Sequence, residues 1–271
     1  MKDIETYAAD ALDRIRRTAP LVHNITNFVV MNSSANILLA AGASPVMAHS
    51  PDEAEEMAAM AGALVLNIGT LQEDWVQAMI RAGRAANSAG IPVVLDPVGA
   101  GATRFRTAAV NRIMESCAIA VLRGNASEVL SLASDDVKTK GVDSSLALSE
   151  EIVPTAKAMA RAHGCIIAIS GKEDCITDGE RVFRVGNGQP LMTRVTGIGC
   201  GLSALSGAFC AVDPTSLLEA VTAAFAFYGC CADLAVASSD LPGSFFVAFL
   251  DRLYDTGREQ LMQGLKIRSK G

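Results

Sequence analysis

Residues 92–102 read Pro92-Val93-Val94-Leu95-Asp96-Pro97-Val98-Gly99-Ala100-Gly101-Ala102. The unbroken apolar run at 92–95 suits a strand buried on both faces, as parallel strands are. An acid then ends the run, and a glycine-rich loop follows. That places polar chemistry at the C-terminal end of a strand, where open parallel sheets bind ligands. Ala63 to Asn67 (ALVLN) has the same character, and the stretch from about Leu71 to Ser88 between the two reads as a helix. Strand, helix and strand in that order are the unit of an α/β fold.

The rhythm continues in both directions. Ile4 to Arg17 predicts an amphipathic helix, Phe28 to Ala41 a more buried one, and Ala43 to Met47 a short strand. Ser50-Pro51-Asp52-Glu53 predicts a helix start, with Ser50 as N-cap, Pro51 at the first position and Glu53 closing a capping box. Ile119 to Leu122 and Ile166 to Ser170 are further strands. Asp178-Gly179 between two short extended runs signals a hairpin, and hence an antiparallel edge. After Gly201 the chain reads as helical nearly to its end. No linker, repeat or low-complexity tract divides it. The expectation is one α/β domain over residues 1–271, a largely parallel central sheet flanked by helices on both faces.

Composition narrows the function classes. Half of the 271 residues are hydrophobic and 19% are charged, an apolar surplus that suits extensive burial and a subunit interface. A net charge of −6 with no basic cluster argues against a nucleic-acid partner. No apolar run reaches the roughly 18–20 residues that span a bilayer, so no membrane partner is expected. Met1-Lys2-Asp3-Ile4-Glu5 carries acids where a secretory signal needs a basic patch and an apolar run, which points to the cytoplasm. Seven cysteines, an odd number without metal-ligand spacing, predict reduced residues; six of them read as small core side chains.

The seventh, Cys200, belongs to one of four polar places at strand ends or helix starts. Val195-Thr196-Gly197-Ile198-Gly199-Cys200-Gly201 precedes a helix of small residues, Leu202 to Cys210. Gly197, Gly199 and Gly201 let a backbone approach a ligand closely, and a helix start offers free N–H groups to an anion. A thiol there is expected to have a lowered pKa. Asp96 suits Mg2+ or a turn cap equally. In Arg123-Gly124-Asn125-Ala126-Ser127-Glu128 the same pair of readings applies. Asn125 and Glu128 can cap a helix, or Glu128 can serve a metal while Arg123 holds a phosphate. His23-Asn24-Ile25-Thr26-Asn27 concentrates hydrogen-bonding groups between apolar stretches, suited to a polar small molecule or to turn and cap chemistry.

These segments together make the chain recognisable. Residues 20–27 (PLVHNITN), 42–47 (GASPVM), 66–70 (LNIGT), 95–102 (LDPVGAGA), 123–128 (RGNASE), 195–200 (VTGIGC) and 242–245 (PGSF) resemble the hydroxyethylthiazole kinases, in order from about residue 20 to 250. The resemblance implies a ribokinase-like fold. It also implies transfer of the γ-phosphoryl of ATP, with Mg2+, to the hydroxyl of 4-methyl-5-(2-hydroxyethyl)thiazole, a step of thiamine salvage. It puts Met47, Gly197 and Asn27 at the thiazole alcohol, Arg123 and Ser170 at the nucleotide, and Asp96 and Glu128 at the metal. Cys200 falls where most ribokinase-like kinases carry an aspartate base, which separates this family from the sugar and pyrimidine kinases. A homotrimer with active sites shared between subunits is implied as well. Three positions depart from the family pattern: Ser170 stands for Thr, Ile198 for a small or hydroxyl residue, and Leu241 for Gly. The alternatives are another ribokinase-like enzyme, such as a hydroxymethylpyrimidine kinase or a nicotinamide-nucleotide hydrate dehydratase, and a non-catalytic nucleotide or thiazole sensor.

Overall fold

The computed structural model describes residues 3–133 and 148–270. Nine strands of these residues form one sheet in the order β2-β1-β3-β4-β5-β6-β7-β8-β9. The strands β1 (Leu21–Ile25), β2 (Ser44–Val46), β3 (Ala63–Asn67), β4 (Val93–Asp96), β5 (Val121–Asn125) and β6 (Ile166–Ser170) pair in parallel. The remaining three, β7 (Asp174–Thr177), β8 (Val182–Val185) and β9 (Ile267–Lys270), continue the sheet antiparallel. All five residues of β3 and all four of β4 are buried, as strands covered on both faces must be.

Helices cover both faces. On one side lie α1 (Ile4–Thr18), α2 (Met31–Ala41), α8 (Ile198–Val212), α9 (Leu217–Ala235) and α10 (Pro242–Asp255), whose apolar residues share a core with Val22, Val65 and Val94. On the other lie α3 (Ala54–Met60), α4 (Glu73–Ser88), α5 (Arg104–Ser116), α6 (Ala126–Ser131) and α7 (Leu148–His163), packed on Ile25, Leu64, Leu66 and Leu95. The alternation along each strand thus divides its side chains between two cores. A last short helix, α11 (Arg258–Gly264), leads into β9. The small residues of α8 let it approach the sheet closely. A Cβ at Gly207 would lie 2.8 Å from Val65 Cγ2, so the ~1 kcal/mol that glycine costs a helix interior is offset by tight packing.

Three points correct or extend these expectations. The predicted capping box at Ser50 does not form. Ser50 opens a turn instead, its Oγ accepting from Asp52 N at 3.3 Å and its carbonyl from Glu53 N and Ala54 N, and α3 begins at Ala54. Pro51 suits the second position of such a turn as well as the first of a helix, so the sequence cue was shared. The chain is helical to Gly264, nearly to its end as expected, but the strand after it was not foreseen: β9 pairs with β8 and forms the sheet edge outside the Asp178-Gly179 hairpin. One apolar residue in Ile267-Arg268-Ser269-Lys270 leaves no periodic signal; the strand is held by its backbone ladder to β8, by Ile267 packed on the core and by an ion pair from Arg268 to Glu173. Finally, α9 is long and apolar enough to cross a membrane, although most of it is buried in the core beneath the sheet.

Candidate active site

The parallel register pairs Asn67 with Asp96 and Asn125 with Ser170, so the C-terminal ends of neighbouring strands arrive at one rim of the sheet. Asp96 ends β4 and is 1% exposed. Its Oδ2 accepts from Asn67 Nδ2 at 2.9 Å and from Ser203 Oγ at 2.7 Å, and Arg123 Nη1 stands 3.8 Å away. Burial nevertheless pushes this carboxyl up to about 6, against the opposing pull of Arg123, Ser203 and Asn67.

Arg123 is held on two sides. Its Nη1 donates to Gly199 O at 2.9 Å and its Nη2 to Ser170 Oγ at 2.8 Å. The buried Nε has no hydrogen-bond partner among the described residues. A guanidinium fixed in this way with a donor to spare suits a phosphate oxygen. The hydroxyl of Ser170, the group expected at this position, orients this arginine.

The capping reading of Glu128 holds, and the bonds it makes leave room for the metal reading. The capping box predicted at Asn125 is formed: Asn125 Oδ1 accepts from Glu128 N at 3.0 Å, and Glu128 Oε2 from Asn125 N at 2.9 Å. Glu128 Oε1 also accepts from Gly99 N at 2.9 Å, where the loop turns through a φ of 73° that glycine tolerates. Each carboxylate oxygen has a second lone pair beyond these bonds. Among the described residues no three His, Cys, Asp or Glu side chains form a cage for a resident metal. Mg2+ bound with a triphosphate asks for less, keeping several waters and taking one or two carboxylates. Asp96 and Glu128, hard oxygen donors close enough for the charge of one to raise the pKa of the other, fit that demand.

The loop expected to hold an anion leads into α8 with Gly197 as N-cap at a φ of 86°. The N–H groups of Ile198, Gly199 and Cys200 are those a helix start leaves without intrahelical partners. Gly201 is different, because its N–H already donates to Gly197 O at 2.7 Å. Gly201 serves packing instead, since a Cβ there would sit 2.3 Å from Ile37 Cδ1. Ile198 is buried in the core, and its carbonyl accepts from Tyr228 Oη at 2.8 Å, so the departure at this position is absorbed by packing.

Cys200 overturns a second expectation. Its thiol is pushed up to about 11 rather than lowered, first by burial and then by the charge of Asp96, against the amides of Asn67 and Asn27 and the guanidinium of Arg123. Asn27 Nδ2 points at Cys200 Sγ over 3.6 Å and donates to Asn67 Oδ1 at 2.7 Å. Met47 lies half-buried just past the end of β2, beside β1. Of the segment 23–27, only Asn27 reaches the site. His23 Nε2 is bonded to Ala48 O, and Asn24 Nδ2 to Val22 O.

A pocket of about 800 Å3 opens beside Arg123, Ser170 and Gly199, with Phe225 and the 186–190 loop among its walls. Asp233 of α9 pins that loop. Its Oδ1 accepts from Gly188 N and Gln189 Nε2, and its Oδ2 from Asn187 Nδ2 and Lys266 Nζ, all within 2.8–3.1 Å. A second cavity of about 630 Å3 lies against Phe28, His49 and Trp75. The sequence reading had missed Asn67, Ser203 and Asp233. Asn67 carries the same cue as Asp96, a polar residue ending a buried strand, and Asp233 is an acid near the end of a largely apolar helix.

The sequence profile of the hydroxyethylthiazole kinase family matches residues 12–259. The hydroxyethylthiazole kinase of Desulfotalea psychrophila is 52% identical over 268 residues, 99% of this chain and 97% of the relative. The solved structure of hydroxyethylthiazole kinase from Pyrococcus horikoshii OT3 superposes with a TM-score of 0.91 at 43% identity, covering 98% of this chain and all of that one. A ribokinase-like superfamily protein from Enterococcus faecalis V583, at 13% identity and a TM-score of 0.64, covers 88% and 87% and shows likeness of fold.

Proposed function

The chain belongs to the hydroxyethylthiazole kinase family, and from that premise we propose how its own residues carry the reaction. It is a phosphotransferase with an alcohol acceptor, using ATP with Mg2+ to phosphorylate hydroxyethylthiazole for thiamine salvage. The observation that carries the residue assignment is a continuous set of polar contacts at the strand ends. It runs from Cys200 through Asn27 and Asn67 to Asp96, and on through Arg123 to Ser170 at the mouth of the large pocket.

In this reading the nucleotide fills the 800 Å3 pocket, with its phosphates toward Arg123 and the first turn of α8. Arg123, oriented by Ser170, offers its free Nε–H, and the N–H groups of Ile198 to Cys200 face the transferring phosphoryl group. Asp96 and Glu128 would hold Mg2+, which neutralises triphosphate charge when bound. The acceptor alcohol lies by Met47, Asn27 and Gly197, its hydroxyl next to Cys200. The alcohol oxygen bonds to the γ-phosphorus as the bond to the β,γ-bridging oxygen breaks, and that electron pair leaves with ADP. Cys200 Sγ, as thiolate, takes the hydroxyl proton late. With the thiol pKa near 11, thiolate is scarce at neutral pH, so positioning and charge neutralisation supply most of the rate.

The same reading includes one domain, a cytoplasmic location, no nucleic-acid or membrane partner, and a homotrimer with shared sites. The single sheet drawn from Leu21 to Lys270, the net charge of −6 and the burial of α9 support the first three. Phe28 and Val29, 57% and 63% exposed immediately beside Asn27, support an acceptor site that a neighbouring subunit covers. A coupled assay with ATP, Mg2+ and a panel of small alcohols tests the reaction, and light scattering on dilution tests the assembly. Phosphorylation confined to the thiazole alcohol, falling with oligomer mass, is the expected outcome. Transfer to a different alcohol class, or full activity in a monomer, would contradict it.

A further inference from the structure

The motif Leu66-Asn67-Ile68-Gly69-Thr70 links the polar contacts of the site through Asn67, but no part in the reaction has been given to it. Its centre is the carboxamide of Asn67, 1% exposed at the end of β3. Oδ1 accepts from Gly69 N at 3.0 Å and from Asn27 Nδ2 at 2.7 Å, and Nδ2 donates to Asp96 Oδ2 at 2.9 Å. The orientation of this amide is not free. A backbone N–H only donates, so the oxygen must face Gly69 and the nitrogen must face the carboxylate. Asn27 is fixed by the same logic. Val29 N donates to its Oδ1 at 3.1 Å, which turns Nδ2 toward Asn67 and Cys200.

The rest of the motif keeps this amide pair in place. A Cβ on Gly69 would lie 2.5 Å from Asn27 Nδ2, so the position has no room for a side chain. Thr70 Oγ1 accepts from Phe28 N at 3.0 Å and ties the loop after β3 to the loop after β1. Arg106 donates to Ile68 O, Gly69 O and Val98 O within 2.7–2.9 Å and ties it to the loop after β4. Three loops are thereby fixed around one buried amide.

We propose that Asn67 is a positioning residue for phosphoryl transfer, setting the separation between the acceptor side of the site (Asn27 and Cys200) and the phosphate side (Asp96). This rests on the reading of those three residues given above. Asn67, 1% exposed and bonded to Asn27, Gly69 and Asp96, would act through these neighbours and not on substrate directly. In-line transfer is sensitive to the placement of acceptor and donor, and a shift of about 1 Å costs on the order of a hundredfold in rate. Removing the amide frees Asn27 and Asp96 to move independently. Because Asn27 acts on Cys200 through the same contact chain, the effects of losing Asn67 and Asn27 should overlap.

The test is a double-mutant cycle on kcat with Asn67→Ala, Asn27→Ala and the pair, in the full-length protein with ATP, Mg2+ and the thiazole alcohol. Asn67→Ser, which puts a short hydroxyl in place of the amide, carries the same measurement if Asn67→Ala fails to fold by circular dichroism. The expected result is a loss of about tenfold or more in kcat for the Asn67 variant. KM for ATP should stay within about threefold, and the pair should be no slower than the worse single variant. Unchanged kcat would overturn the proposal, as would strictly additive losses or a loss confined to KM. An inactive wild-type protein would instead sink the underlying reading, which keeps the two failures apart.

Discussion

Arg123 Nη1 and Asp96 Oδ2 face each other at 3.8 Å, with neither side chain more than 7% exposed. The pair is enclosed, yet Asp96 carries a carboxyl raised to about 6, because burial outweighs the guanidinium beside it. An ionised carboxylate held against its solvation is a cost to stability at neutral pH. Its presence at the rim of the site fits function better than folding.

That relationship sets opposite signs for activity and stability. Asp96→Asn should lower kcat at least about tenfold, since a charge facing the triphosphate is lost. Its melting temperature at pH 8 should match or exceed that of the wild type. Glu128→Gln should also lower kcat but melt earlier, because an amide cannot accept from both Gly99 N and Asn125 N. Calorimetry beside steady-state kinetics checks both. Full activity with unchanged Mg2+ dependence in the two variants would show that these acids are structural caps.

Cys200 separates proton acceptance from packing. A carboxyl group ordinarily ionises far below a thiol, so the same surroundings that push the thiol up to about 11 leave an aspartate at this position the more readily ionised of the two. Cys200→Asp should therefore retain or raise kcat, and Cys200→Ala should lose roughly a hundredfold, the usual scale for a general base. The native thiol should alkylate slowly with iodoacetamide at pH 7.5, as mass spectrometry of the labelled peptide would report. Alanine outperforming aspartate would leave the helix start and the acids as the only groups assisting transfer.

Asp233 anchors the loop that walls the large pocket without lining the pocket itself. Asp233→Ala removes the acceptor shared by Gly188 N and the side chains of Asn187, Gln189 and Lys266 at once. KM for ATP should rise about tenfold while KM for the alcohol stays near its wild-type value. Equal changes in both constants would place the effect on global folding instead.

Asp174 also lines the large pocket, and burial pushes its carboxyl from an ordinary 3.8 up to about 7 despite the bond from Gly171 N. The folded chain keeps this proton to a higher pH than the unfolded chain does. Its contribution is thus present below pH 4 and lost as pH rises through 7. Asp174→Asn removes that loss and preserves an oxygen for Gly171 N. The variant's melting temperature should gain on the wild type by a few degrees between pH 5 and pH 8. A constant difference across that range would mean that Asp174 ionises normally in the fold.

The chain order of strands and helices was legible because periodicity and burial are local. ALVLN and PVVL could only be strands covered on both faces, and Asp178-Gly179 could only turn a hairpin. The ends of elements were less so. Ser50-Pro51-Asp52-Glu53 serves a turn or a helix start equally well, and β9 has almost no apolar pattern to read. Within the site, the sequence marked Asp96, Arg123, Glu128, Cys200 and Asn27 as polar residues at strand ends and helix starts, and the structure brings these together.

By itself, then, the sequence determined an α/β fold and the strand ends at which its chemistry would lie, since both follow from residue type at short spacing. Tertiary structure alone decided what each group can do there. The thiol of Cys200 rises because the fold buries it and brings the charge of Asp96 near it, which no property of the 197–201 loop foretells. Gly201 turns from an expected anion contact into a packing residue because Ile37 and Tyr228, far off in the chain, leave no room for a side chain. Asn67 gains its place from the register that sets β3 beside β4. pKa values, close packing and amide orientation depend on neighbours distant in sequence, and only folding supplies those neighbours.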